Sequence, residues 1–563
     1  MDSKTLVVPT HTTQPTTVPL SALNRLRDVV NTAIQQRRIV FLALVVNFGA
    51  LLFGYDSGIA GATIVLPSFQ RTFGIRGSAK QVANTSSNIV SILYLGALIG
   101  GLVASRTSYQ LGRRRSLLIG CIFFIVGGIV QTTSTNVGQI YAGRALAGVG
   151  TGTVSQVSPI FVSECASKRH RSVAVAMFQL CLVIGGMLAY WTGYAVSIHV
   201  DPTTSRQWRI PIGLQLLPTG LFTIGLLFLP ESPRYLAFQQ IADERRRRSQ
   251  GLTALTRFPV DQYTRDSIKD SEASPTPTPA RESEAAVSYL ANNGTSPHST
   301  FAGEAVRDDY PKPRANHLIS VFTNWLVRGR KHQQHDPLAP LCALAYLRNV
   351  PLTSPYLKTE MAEIYAQLDE IEEDKNQGRT TWKALLANRS VRKRFAVAGF
   401  IGTWQIWTAQ NAILYYAPTI FMSIGFSSSS TSLLASGVFT CLKVLSTTVA
   451  LAFTINRFGR VQGLTIGGIL QGIIFFIIGI ILATYPLDPT QDDPAPANFA
   501  MMAMIYVYVL VYSFTLGPLP WVYSSELFPP HIRDAGQLLF VALTWINNYA
   551  VAKLTPIGFA DIG

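Results

Sequence analysis

Long uncharged apolar stretches recur along this chain, divided by short polar segments, and each is about as long as one helix needs to cross a bilayer. A spanning helix takes about 20 mostly apolar residues, with Asp, Lys and Arg strongly disfavoured at its centre. Eleven stretches qualify. In the first half they cover roughly 40 to 61, 86 to 105, 117 to 134, 139 to 163, 173 to 195 and 210 to 229. In the second they cover roughly 396 to 423, 432 to 455, 462 to 483, 498 to 524 and 536 to 556. The pattern predicts an all-α polytopic membrane protein with four parts: an amino-terminal arm (1–39), a six-helix bundle (40–235), a central loop (236–395) and a second, incomplete bundle (396–563).

Composition agrees with that class. Only 14% of the 563 residues are charged while 48% are hydrophobic, whereas soluble proteins average about 25% charged. The 47 Lys and Arg exceed the 31 Asp and Glu by 16. No basic stripe interleaved with stacking aromatics accompanies this excess, which argues against a nucleic-acid partner. The arm and the short loops on its side carry fifteen Lys and Arg, against five on the other side: Arg71, Arg76, Lys80, Arg206 and Arg209. That bias places the amino terminus in the cytosol. The first forty residues hold Arg25, Arg27, Arg37 and Arg38 without an apolar core and cleavage site, so they read as a cytosolic arm and not as a signal peptide.

The central loop includes the charged run Glu244 to Arg248 and a Ser/Pro/Thr-rich segment from Ser271 to Pro279, and most of it is expected to lack order. Towards its end, amphipathic helices are expected near 338–375, where Met361, Ile364, Leu368 and Ile371 fall at helical spacing among acids. The five cysteines show no close pairing and all eight histidines lie outside the spans. A disulfide framework, a metal site and an enzyme site are therefore not expected, and no cofactor is.

The two halves repeat one pattern. Gly112-Arg113-Arg114 follows span two, and Glu164 with Arg171 follows span four; Gly459-Arg460 follows span eight, and Glu526 with Arg533 follows span ten. Parallel six-helix repeats are how many secondary transporters are built, with substrate held between the halves near the bilayer midplane. An Arg pair can hydrogen-bond a carboxylate at another helix end, which makes a latch that forms in one conformation and breaks in another. The same arginines can also serve only to anchor loops on the cytosolic side.

Gly54-Tyr55-Asp56, Leu111-Gly112-Arg113-Arg114, Gly143-Arg144, Ser163-Glu164 with Arg171, Pro230-Glu231-Ser232-Pro233-Arg234, Asn411 with Tyr415-Tyr416, Arg457-Phe458-Gly459-Arg460, and Gly517-Pro518 through Trp521, Glu526 and Arg533 together carry a resemblance. The chain resembles the sugar porter family of the major facilitator superfamily, in its fungal hexose and quinate permease branch. Four departures accompany the resemblance. Tyr109-Gln110 stand for the usual Asp-Arg, Asn456 stands for an Asp, Ile406 and Ala409 replace a Gln and a Gly in span seven, and the family's twelfth helix is missing.

The resemblance implies the major facilitator fold, two parallel-related six-helix bundles, here with the last helix missing. By family position the substrate-binding candidates are Gln179, Gln405, Asn411 and Trp521, with Tyr415, Gly517 and Trp545 behind them. Amides match sugar hydroxyls that both donate and accept, and an indole stacks on the apolar face of a sugar. The latch set is Arg113, Arg114, Glu164, Arg171, Glu231, Arg234, Arg457, Arg460, Glu526 and Arg533. Charge within the spans is confined to Asp56, Arg144, Lys443 and Lys553. Asp56 and Arg144 lie on helices that adjoin in the resembling fold, so they are expected to pair and to couple protons. Lys553 is expected to snorkel, while Lys443 stays open between a structural and a cavity-lining role.

The resulting expectation is a monomeric, multi-pass plasma-membrane carrier that moves a monosaccharide of hexose type by alternating access with proton symport. Its expected partners are a small sugar or related polyol acid, protons and the lipid bilayer. The alternatives are a quinate or polyol permease, a non-transporting nutrient sensor, and an inactive truncated carrier.

Overall fold

The computed structural model describes residues 37–75, 78–167, 171–250, 338–350, 352, 354–378, 385, 387–425, 428–453, 459–485, 496–529 and 532–562. The arm, the segment expected to lack order within 251–337, and Arg457 lie outside the described residues. Every regular element among the described residues is a helix. The first bundle comprises α1 (Arg37–Ile64), the short α2 (Pro67–Thr72), α3 (Ala79–Leu111), α4 (Arg113–Thr133), α5 (Val137–Cys165), α6 (Arg171–His199), α7 (Arg206–Leu214) and α8 (Leu216–Leu227). Three helices follow in the central region: α9 (Pro233–Ser249), α10 (Ala339–Arg348) and α11 (Pro355–Asn376). The second bundle has α12 (Arg389–Trp407), α13 (Gln410–Ser423), α14 (Ser429–Phe453), α15 (Arg460–Thr484), α16 (Pro496–Phe514), α17 (Leu519–Leu527) and α18 (Arg533–Ile562).

Ten helices among the described residues are long and apolar enough to cross a membrane. The eleventh expected span is present as α12 and α13, two shorter helices separated at Thr408 and Ala409. Apolar area cannot drive helices together when lipid is equally apolar, so close backbone approach and polar contacts must do it. The α3–α5 contact shows this: a Cβ added at Gly152 would lie 1.9 Å from the Ala97 carbonyl oxygen.

Within the first bundle α1 packs on α6, and α5 packs on both α3 and α4. Between the bundles α3 packs on α18, and α6 packs on α14. These are spans two and eleven, and five and eight. The two seams are therefore exchanged by the same repeat that relates the motifs. At the end of the bundles where α3 turns into α4, Ala237 and Ile241 of α9, Leu341 and Leu344 of α10, and Met361 and Leu368 of α11 make a separate apolar cluster.

Candidate functional site

Where the two bundles meet, one cavity is lined from both. Phe53 and Ser57 of α1 and Gln179 and Leu182 of α6 face it from the first bundle. From the second come Gln405 and Ile406 of α12, Asn411, Leu414 and Tyr415 of α13, and Lys443 of α14. Tyr512 of α16, Trp521 of α17 and Thr544, Trp545 and Asn548 of α18 complete the lining. Its volume is about 40 Å³, room for a few water molecules.

Two helix breaks aim the polar groups inward. Ala409 has φ 63° and ψ −4°, a left-handed conformation that ends α12 and starts α13. Non-helical backbone at membrane depth is tolerated only where protein or a cavity satisfies it. Here the Tyr508 hydroxyl donates to the Thr408 carbonyl. Gly517-Pro518 interrupts span ten between α16 and α17 without a left-handed residue, and the Gly517 carbonyl accepts from Gln405 Nε2 at 3.5 Å. Gly517 thus stands behind the cavity wall and not on it.

Asn548 is the hub of a second hydrogen-bonded group on the lining. Its Oδ1 accepts from Asn411 Nδ2 at 2.7 Å and from the Tyr415 hydroxyl at 2.6 Å. Gln405 Nε2 also reaches the Tyr512 hydroxyl at 3.5 Å, while Gln405 Oε1 and Trp545 Nε1 are buried without a hydrogen-bond partner. Phe53 meets the Trp545 ring edge-on at 5.1 Å, and Phe178 and Phe540 flank Trp521. The structure therefore brings Gln179, Gln405, Asn411, Tyr415, Trp521 and Trp545 onto one cavity. Sequence reasoning missed Phe53, Ser57, Tyr512, Thr544 and Asn548. Asn548 alone carried a usable signal, an amide one helical turn beyond Trp545 in an apolar run.

One residue before the cavity-lining Ser57, Asp56 Oδ1 accepts from Arg144 Nη1 at 2.7 Å, with both side chains at most 2% exposed. The same Nη1 also donates to the Asp56 carbonyl at 3.2 Å, while Asp56 Oδ2 has no hydrogen-bond partner. Lys553, towards the far end of α18, donates to Asn84 Oδ1 at 2.6 Å and to Asn88 Oδ1, which ties α18 to α3 across the bundles.

At the other end, Gly112 has φ 97°, and a Cβ there would lie 2.4 Å from Glu231 Oε2, so this turn needs glycine. Glu231 Oε1 accepts the backbone N–H groups of Arg113 and Arg114 at 3.0 and 3.3 Å, which places a carboxylate at the start of α4. Burial pushes the Glu231 carboxyl above its usual range, opposed by those N–H donors, by that of Ser232 and by the Arg113 charge. Arg113 Nη2 pairs with Glu164 Oε1 at 2.8 Å, and the Ser232 hydroxyl donates to Glu164 Oε2 at 2.6 Å. In the second bundle Arg460 meets Glu526 at 3.3 Å in a more exposed pair, and Gly459 has an ordinary extended backbone. Arg234 donates to Gln367 of α11 at 3.3 Å. Among the described residues no carboxylate pairs with Arg171, Arg234 or Arg533, and Arg171 and Arg234 are the charged neighbours of Arg533.

Comparison with known proteins agrees with this architecture. A family model described as sugar (and other) transporter matches residues 42–277 and 338–563. A quinate permease of Neurospora terricola is 28% identical over 534 residues, covering 93% of this chain and 81% of the permease. A probable quinate permease of Neosartorya fischeri is 29% identical over the same length, covering 93% and 80%. Among solved structures, the proton:xylose symporter XylE bound to 6-bromo-6-deoxy-D-glucose superposes with a TM-score of 0.64 at 21% identity, over 93% of this chain and 90% of that one. A partially occluded inward-open form of the xylose transporter XylE from E. coli gives 0.61 at 21% identity, over 93% and 92%. The fold is that of the major facilitator transporters.

Proposed function

The chain belongs to the family of sugar (and other) transporters, and on that premise we propose that it carries a polyhydroxylated solute of monosaccharide size across the plasma membrane, by alternating access and in symport with protons. The observation that carries this reading is the convergence of amide, hydroxyl and indole groups from both bundles on one cavity. Gln179, Gln405, Asn411 and Asn548 bind hydroxyl groups of the solute. Trp521 and Trp545 cover its apolar face, and Tyr415 and Gly517 hold the amides in place. Asp56 takes up the proton when its pair with Arg144 separates. The bundles 40–235 and 396–563 rock about the cavity with the amino terminus in the cytosol, and the pairs around Arg113, Arg114, Glu164, Glu231, Arg460 and Glu526 open and close on that side, beside Arg171, Arg234 and Arg533.

Two solute chemistries suit such a cavity, a neutral hexose and a polyol acid such as the quinate that names the fungal relatives. The test is uptake of labelled hexoses, pentoses, polyols and quinate by cells that lack their own carriers and display this protein at their surface. Uptake of at least one solute is expected, with weaker apparent affinity in Asn411→Ala by about tenfold or more. Surface-exposed protein that takes up none of the panel would overturn the proposal.

A further inference from the structure

The preceding reading leaves Lys443 without a role. It is 3% exposed, lines the cavity, and has the face of Tyr512 5.5 Å from its ammonium. No Asp or Glu lines that cavity, and among the described residues no carboxylate lies within ion-pair distance of Lys443. Asp56, one residue before the cavity-lining Ser57, is already held by Arg144. Snorkelling does not account for it either. Lys443 stands ten residues before the end of α14 and fourteen after its start (453 − 443 and 443 − 429), about 15 Å or more from either end at 1.5 Å per residue. That is well beyond the reach of a lysine side chain. A buried ionisable group at membrane depth, unpaired and facing a cavity, marks the path of something that pairs with it.

We infer that Lys443 recognises a carboxylate on the transported solute, so the substrate class is a polyhydroxylated carboxylic acid and not a neutral hexose. This rests on the cavity being the transport site. The rest of the wall fits such a molecule. Tyr512 stands beside Lys443 and is reached by Gln405 Nε2, so these groups would receive the carboxylate. The amides Asn411 and Asn548 with the Tyr415 hydroxyl would receive the hydroxyl groups. Trp521 and Trp545 lie on the same cavity for the carbon skeleton between them. A bound carboxylate would neutralise Lys443 where no protein acid does, an interaction that a hexose hydroxyl replaces only in part.

The experiment uses the full-length protein in cells without their own carriers and measures uptake of labelled quinate in competition with unlabelled quinate, its neutral methyl ester and glucose. Quinate is expected to compete about tenfold to a hundredfold better than the ester or glucose. Lys443→Met, compared at equal surface amounts, raises the KM for quinate by a similar factor, and Lys443→Arg keeps most of the parental affinity. The assignment is overturned if the ester competes as well as the acid, if glucose is carried and quinate is not, or if Lys443→Met retains the parental KM. Should Lys443→Met fail to reach the surface, the competition profile of the parent decides alone. If none of these solutes nor any other polyol crosses, the transport reading itself falls, and this assignment with it.

Discussion

Asp56 and Arg144 each carry a charge that would be expensive to bury alone, and at 2.7 Å they relieve one another. Removing one partner strands the other, at a cost of about 3 to 5 kcal/mol in buried pairs. Asp56→Asn should therefore lower the thermal stability of the purified protein, and Asp56→Asn combined with Arg144→Gln should recover much of the loss. Proton coupling behaves differently, because both variants lack the carboxylate. Neither should show solute-dependent alkalinisation of the medium or accumulate solute against a gradient, although exchange across the membrane persists. A variant without the Asp56 carboxylate that still concentrates solute together with protons would place coupling elsewhere. The two charges were legible in the sequence because a charge inside an apolar run stands out, and their pairing was expected from the resemblance. Phe53, Ser57 and Thr544 were not, because those residue types are at home on any face of a spanning helix, and only the packing shows which face meets the cavity.

Span seven shows how an element departs from its sequence pattern. Hydropathy reads a continuous run from about 396 to 423, yet the helix breaks at Ala409, in a left-handed conformation that costs an L-residue roughly 1 to 2 kcal/mol. The break turns Gln405 and Asn411, six residues apart, onto one cavity. Ala409→Gly removes the Cβ that makes this conformation costly, while giving back some unfolded-state entropy. Thermal unfolding of the purified variant should show a net gain of up to about 1 kcal/mol with solute affinity unchanged. A loss of stability instead would mean that Ala409 does not hold this conformation. Spans six and ten are also divided, between α7 and α8 and between α16 and α17, while each of the other expected spans matches one observed helix, since uncharged apolar runs of that length have few alternatives. The break was hidden because Ala is a good helix former, and only the resemblance drew attention to the position.

Across the whole molecule, the repeat read from Gly112, Glu164, Gly459 and Glu526 reappears as two exchanged seams, α3 with α18 and α6 with α14. Its chemistry is less symmetric. The first bundle places Glu231 over the α4 start and buries the Arg113–Glu164 pair, whereas Arg460–Glu526 is the more open contact. Motifs gave the positions, but partner choice depends on what the neighbouring segments bring. The small cavity was beyond sequence reasoning altogether, because its size depends on how far the bundles lean together. On the proposed reading, solute enters and leaves this cavity as one end of the molecule opens and then the other. Solute counterflow addresses that motion in purified protein. Liposomes containing the protein are loaded with unlabelled solute and diluted into a trace of the labelled form, with quinate and glucose in separate preparations. For a carrier, label from at least one solute rises transiently above its equilibrium level inside the vesicles, because both faces of the protein exchange the same site. If a solute binds the protein yet no label enters, the chain is a receptor and not a transporter.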